Sequence, residues 1–252
     1  MKRALGLYAA AAFAFLHVPL ITLIVFSVNA SRFTLWEGFS LQWYRALARD
    51  TQMLEAAWNS AVIAMVSTAI ATVAGTLAAY GLWKRASRVL TGALYLSLVT
   101  PEIVMGISLL AFFQWMFRWL GWQLGLHTVM LAHVAFSIAY VAVVVAARLR
   151  TLDRGLEEAA MDLGATEWGA FRQVTLPLLA PGITAAALLS LTISFDDYVI
   201  TSLVAGVDSE TLPMVIYAMA RRGANPSINA ISTVIVLFFG TLILISERMR
   251  KA

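Results

Sequence analysis

LRTLDRGLEEAAMDLGATEWGAFRQVTLPLLAPGI, residues 149–183, is a long charged interruption in a chain that is otherwise strongly apolar. Immediately before it, Trp119 to Ala147 carry no Lys, Arg, Asp or Glu, and after Arg172 the next charge is Asp196. The interruption is patterned rather than random. Leu156, Ala159, Ala160 and Leu163 share one helical face, while Arg154, Glu157, Glu158 and Asp162 occupy the others. Gly164 is placed to end that helix, and Thr166 to start a second, short amphipathic stretch carrying Trp168, Phe171 and Val174. Leu176-Pro177 is expected to break this stretch before the apolar run resumes. The expectation is a short helix-turn-helix on the watery face of a membrane bundle.

Working outward, charge-free runs cover residues 4–31, 56–83, 89–101 with 103–117, and 223–246. Each is long enough to need a non-aqueous surrounding. A fifth helix over about 179–205 is interrupted by Asp196 and Asp197, so the predicted spans are about 5–28, 57–82, 91–117, 128–148, 179–205 and 226–247. The whole chain, 1–252, reads as one all-α transmembrane domain with six helices and a water-facing segment at 151–177. With 61% hydrophobic and only 13% charged residues, it falls outside the soluble class, where about 25% are charged. The first run exceeds the roughly 7–15 residues of a signal-peptide core and is expected to be a retained helix.

Six crossings put both termini on one side. That side collects Lys2, Arg3, Lys84, Arg85, Arg88, Arg148, Arg150, Arg154, Arg172, Arg248, Arg250 and Lys251. The opposite side has Arg32, Arg45, Arg49, Arg118, Arg221 and Arg222. The richer side is expected to be cytoplasmic, so the net charge of +4 reports topology and not nucleic-acid binding. Small residues recur at Ser67, Ala71, Gly75 and Ala79, a spacing that lets helices approach closely. His17, Pro19 and His133 within spans fit satisfied polar groups or a tolerated kink better than a relay or gate.

Energy must come from elsewhere if this is a pump. The three lysines, Lys2, Lys84 and Lys251, lie in no G-x-x-x-x-G-K-[ST] loop, and no H-E-x-x-H or G-x-S-x-G occurs. With no Cys there is no thiolate chemistry either.

Glu102, Asp196 and Asp197 fall inside predicted spans, where an ionised carboxylate costs roughly 2.5–3.5 kcal/mol and no Lys or Arg is available to pair with it. Glu102 should lie about eleven residues into the third span and the Asp pair about fifteen into the fifth, near mid-depth. Ser190, Ser194, Asp197 and Thr201 share one stripe, Thr192 and Asp196 another. Asp197 is therefore expected to face a pathway and Asp196 to bond a neighbouring helix. Pro101 is expected to kink the third span. An acidic pathway favours cations, and Phe112, Trp115, Phe195 and Tyr198 offer cation–π faces. Protonated carboxyls buried as inter-helix hydrogen bonders are the alternative.

Glu158-Ala159-Ala160, three residues, Gly164, nine residues, then Val174-Thr175-Leu176-Pro177 resembles the EAA motif of ABC-type import permeases. Val174 stands where Ile is usual. The resemblance implies a coupling helix that docks on an ATP-hydrolysing subunit, with Glu158, Ala159, Ala160, Gly164, Leu176 and Pro177 in that role. FSVNASRF (26–33), PEIVMGISLL (101–110), SFDDYVITSLVAG (194–206) and TLPMVIYAMARRGANPSINAIST (211–233) resemble the polyamine branch, second-permease type.

What this likeness implies is a type I ABC importer permease (MetI-like) fold in the bacterial inner membrane, carrying putrescine or spermidine. It implies a heterodimer with a homologous permease, two cytoplasmic ATPase subunits and an extracytoplasmic polyamine-binding protein. It places ATP and Mg on the partners, with no cofactor, metal or enzymatic activity in this chain. Glu102, Asp197, Asp196, Tyr198, Ser194 and Trp115 are the expected substrate-pathway residues. Two other classes compete: an ion-coupled transporter or cation channel using the Asp pair, and a membrane scaffold that transports nothing.

Overall fold

A backbone in hydrocarbon has no water to bond, so each apolar run closes its own hydrogen bonds as a helix. The structure, a computed structural model, describes residues 2–32, 35–223 and 226–251, with side chains for 5–32, 35–223 and 226–244. Phe33, Ala224 and Asn225 of the resembling stretches, and the side chains of Lys2, Arg3, Arg248, Arg250 and Lys251, lie outside these described residues.

In chain order the helices are α1 (Lys2–Ser27), α2 (Gln42–Leu47), α3 (Thr51–Lys84), α4 (Arg88–Val99), α5 (Glu102–Leu120), α6 (Leu126–Leu149) and α7 (Gly155–Asp162). Then come α8 (Glu167–Ala170), a π-helical turn (Phe171–Thr175), α9 (Leu176–Asp196), α10 (Val199–Val204), α11 (Leu212–Arg221) and α12 (Pro226–Lys251). Six helical segments are long and apolar enough to span a bilayer: Leu5–Ser27, Thr51–Lys84, Glu102–Leu120, Leu126–Leu149, Glu167–Asp196 and Pro226–Leu244. The expected count of six holds among the described residues.

Two spans depart from the sequence reading. Residues 91–117 are not one kinked helix. Thr100 and Pro101 are extended (ψ 126 and 137), because a proline pushes the preceding residue out of the helical region, and they separate α4 from α5. Glu102 therefore heads a helix, instead of sitting eleven residues into one, and the helix dipole favours its charge there. The fifth span starts earlier and stops earlier than expected. Pro177 does not break it: helix runs unbroken over Glu167–Asp196, and the chain opens at Asp197. The π turn directly before Leu176 widens the backbone ladder where a proline ring would otherwise crowd a carbonyl.

The chain divides into two compact units, residues 1–55 with 214–252, and residues 56–213. In the first, α12 packs against α1 and α2. The turn after α1 is built around buried Asn29: its Nδ2 donates to the Leu35 carbonyl (2.8 Å), its Oδ1 accepts from Glu37 N (3.0 Å), and its carbonyl accepts from Trp43 Nε1 (2.8 Å).

The second unit is organised by α6, whose residues contribute to both of its cores. One joins Phe113 and Phe117 to Val129, Phe136, Ile200 and Val204; the other joins Ala71 and Ala79 to Val141, Val145, Leu179 and Ala186. The small-residue stripe of α3 faces α6. Ser67 Oγ donates to the Met130 carbonyl (3.2 Å), and a Cβ on Gly75 would lie 2.7 Å from Val141 Cβ and 2.9 Å from the Ile138 carbonyl. Adding a methyl there would force the helices apart.

Candidate functional site

The charged segment at 149–183 folds as a helix, a glycine turn and a second helix that continues into the fifth span. α7 ends in a Schellman motif: Ala165 N donates to the Ala160 carbonyl (3.0 Å) and Gly164 N to that of Met161 (2.9 Å). Gly164 takes φ +94, a conformation that a residue with a side chain adopts only with strain. Thr166 Oγ1 then caps α8 by accepting from Gly169 N at 3.1 Å.

The faces of α7 invert the usual amphipathic order. Its buried contact is an acid: Glu157 takes Lys84 Nζ at 2.5 Å, Tyr80 OH at 3.0 Å and a hydrogen bond from Thr175 Oγ1. Burial alone would push the Glu157 carboxyl up, but the bonds from Lys84, Thr175 and Tyr80 together outweigh it and hold the carboxyl below the ordinary range. Arg154 reinforces the joint, with its guanidinium 4.9 Å from the Trp83 ring and donating to the Trp83 carbonyl. Phe171 packs at a tilt against Tyr80 (4.5 Å between ring centroids) and stacks on Trp168 (5.3 Å).

Apolar side chains are left outward. Leu163 is 91% exposed and Trp168 64%, beside exposed Glu158 and Ala159 and half-buried Ala160. Gly164 is open, with nothing within 4 Å of where a Cβ would stand. Leu176 is half-buried and Pro177 exposed at the start of α9. Of the expected coupling residues, Glu158, Ala159 and Gly164 thus lie on an open face. Glu157, which the sequence reading placed among the polar faces, is the anchor it missed. Its signal was a charge beside small residues, on the same predicted side of the membrane as Lys84.

In the membrane region the two aspartates exchange their expected places. Asp197 is the buried one, with 6% of its side chain exposed, and Asp196 the exposed one. The reason is the break after α9. The Asp197 carboxylate turns back to cap α10, accepting from Thr201 N (2.8 Å), Thr201 Oγ1 (2.8 Å) and Ile200 N (3.4 Å). Its Oδ2 also lies 3.4 Å from His133 Nε2 on α6. The stripe read from sequence is real but faces inward: Ser190 Oγ meets Thr68 Oγ1 (3.3 Å) and Ser194 Oγ meets His133 Nδ1 (2.7 Å). His133 is a satisfied core histidine, yet its partners come from the expected pathway set.

Glu102 is exposed at the head of α5, and Trp115 on the same helix is 63% exposed. One turn after Glu102, Gly106 receives α10: a Cβ there would stand 2.6 Å from Leu203 Cδ1 and 3.4 Å from Ile200 Cα. The helix that Asp197 caps is therefore seated on the helix that Glu102 heads. Tyr198 is half-buried and Ser194 buried, so neither is as open as Asp196.

Residues 71–252 match the model of the family described as binding-protein-dependent transport system inner membrane component. The chain belongs to that family. Its members are transport permeases, and this permease is a transport subunit and not an enzyme. It is 43% identical over 231 residues to the putrescine transport system permease protein PotI of Escherichia coli K12, covering 89% of this chain and 82% of that one. To the spermidine/putrescine transport system permease protein PotC of the same strain it is 38% identical over 250 residues, covering 98% and 93%.

Its fold is that of solved ABC importers. A subunit of a bacterial ABC transporter involved in import of the acidic polysaccharide alginate superposes with a TM-score of 0.77 at 16% identity, over 99% of this chain and 96% of that one. One from the MetNI methionine ABC transporter gives 0.67 at 19%, over 78% and 94%. The permease is thus a multi-pass protein of an inner-membrane family, as the segment at 149–183 implied.

Proposed function

We propose that this permease forms half of the translocation pathway of an ATP-driven polyamine importer. The reading is carried by the 43% identity over 231 residues to a permease named for putrescine transport. The open carboxylates Glu102 and Asp196 support a cationic cargo: two acids and exposed Trp115 suit an alkyl diammonium, and would repel an anion.

A homologous permease completes the pathway, two ATPase subunits hold ATP and its magnesium, and a polyamine-binding protein delivers substrate outside. The outward face of α7 and α8, with Leu163, Trp168, Glu158 and open Gly164, is the surface offered to the ATPase. The excess of basic residues on the side bearing the termini and the coupling segment supports a cytoplasmic placement of both.

The test is uptake of radiolabelled putrescine by proteoliposomes carrying the co-purified complex, its binding protein outside and ATP inside. Uptake should require ATP and ignore a protonophore. Glu102→Gln with Asp196→Asn should slow it about tenfold or more without loss of assembly, on the scale of one or two charge contacts. Uptake that collapses with protonophore and persists without ATP would point to ion-coupled transport, and no uptake of any diamine would remove the polyamine reading.

A further inference from the structure

The chain opens between α9 and α10 without a glycine or a proline at the break. Residues 190–204, SLTISFDDYVITSLV, contain neither Gly nor Pro, the usual origins of a sharp break. Yet Asp197 is extended, with φ −65 and ψ 123, and helix resumes at Val199. A helix of this composition would otherwise continue, since each added residue gains a backbone bond. The interruption is held in part locally, by the Asp197 carboxylate accepting from the Ile200 and Thr201 amides, and in part by tertiary contacts.

Those contacts converge on His133, which is 1% exposed in the middle of α6. Its Nε2 lies 2.9 Å from Thr201 Oγ1, and its Nδ1 2.7 Å from Ser194 Oγ. The hydroxyl of Thr201 donates to Asp197 Oδ2, so its oxygen accepts from His133 Nε2–H. The other ring nitrogen, Nδ1, is engaged by the Ser194 hydroxyl. One imidazole thereby ties the last turn of α9 (Ser194) to the first turns of α10 (Thr201, and through it Asp197). Both of its nitrogens are satisfied at a depth where an orphaned one is costly.

The consequence falls on the neighbouring residue. With Asp197 drawn inward, Asp196 is left exposed at the very end of α9. We propose that His133 is a positioning residue for transport: acting through Thr201 and Asp197, it fixes the break after Asp196 and thereby turns the Asp196 carboxylate towards the cation. This rests on the cationic-cargo reading for its purpose, but not for its geometry.

The chain has no cysteine, so a single introduced thiol, read on this subunit after its separation from the labelled complex, reports one position. In the assembled complex, Asp196→Cys is modified by a cationic thiosulfonate in the native, His133→Ala and His133→Gln backgrounds, with Leu189→Cys on the same helix as control. Modification at 196 should slow about tenfold in His133→Ala and recover to within about threefold in His133→Gln, which keeps a donor for Thr201. Leu189→Cys should not change.

Putrescine uptake, measured with Asp196 intact, should follow the same order. His133→Ala with Asp197→Ala should be no slower than Asp197→Ala alone, since one acts through the other. Unchanged modification at 196, equal slowing at 189, or losses that multiply in the double variant would each overturn the proposal. If the native complex moves no diamine, the transport reading fails while thiol modification still decides this one.

Discussion

Glu157 and Asp197 are both acids buried in an apolar chain, and they are stabilised in opposite ways. Glu157 is met by a long, mobile lysine whose side chain stays 33% exposed, together with the hydroxyls of Tyr80 and Thr175. Asp197 is met by fixed donors: two backbone amides at the start of α10 and one threonine, backed by an imidazole that is 1% exposed. The first arrangement joins separate elements, α7, the end of α3 and the π turn, by side-chain tips reaching from water. The second belongs to the backbone of the helix it caps. A joint of the first kind can loosen and re-form at the expense of side-chain contacts alone; one of the second kind cannot open without unravelling the first turn of the helix it caps.

If that distinction is right, removing the two acids has unequal costs. Asp197→Ala uncaps α10 and leaves the Thr201 hydroxyl and the amides of Thr201 and Ile200 short of an acceptor inside the bundle, about 2–4 kcal/mol. Glu157→Ala leaves Lys84 free to turn to water, so its cost is smaller, about 1–3 kcal/mol once the exposure of that lysine is discounted. Thermal unfolding of the purified complex should rank Asp197→Ala below Glu157→Ala, and both below the native protein. The reverse order would mean that the Glu157 joint is the more rigid of the two.

Much of this contrast was legible in the sequence, and the illegible part has a physical cause. Six apolar runs and the glycine after α7 follow from composition and spacing, and the stripe Ser190, Ser194, Asp197 and Thr201 follows from helical period alone. Which way that stripe faces does not, because period fixes what shares a face and not what the face meets. His133 lies 61 residues before Ser194, and nothing local links them. The same limit misassigned Glu157 to a polar face: the lysine that draws it inward comes from another helix. Pro177 failed as a breaker because the π turn before it had already relieved the clash, whereas Pro101, with no such turn, broke its span.

A smaller effect separates the outward face of the coupling segment from the clamp beneath it. Gly164→Ala imposes a side chain on φ +94, costing about 1 kcal/mol in open space, so the complex should assemble almost normally. Gly164→Arg adds bulk to the surface proposed to meet the ATPase and should abolish ATP-driven uptake while leaving the unfolding midpoint close to that of Gly164→Ala. Equal uptake by the two variants would show that this face touches nothing during transport.

The smallest expected effect is also the most specific to the Glu157 joint. Because its carboxyl is held below the ordinary value of 4.5, the folded protein binds this proton less readily than the unfolded chain. The stabilisation is therefore fully present above about pH 5 and drains away as the pH falls below 4.5 towards the lowered value; on the alkaline side it weakens only when Lys84, held above its ordinary value by the bond to Glu157, loses its proton. Other carboxylates titrate in the same interval, so the native curve alone decides nothing. Glu157→Gln keeps the shape and removes the titration. The difference in unfolding midpoint between native and Glu157→Gln complexes should be flat from pH 7 to 5 and shrink below that, as protonation makes the native side chain resemble its amide. A difference that stays constant down to pH 3.5 would mean that neither Lys84 nor the hydroxyls of Tyr80 and Thr175 favour the ionised carboxyl.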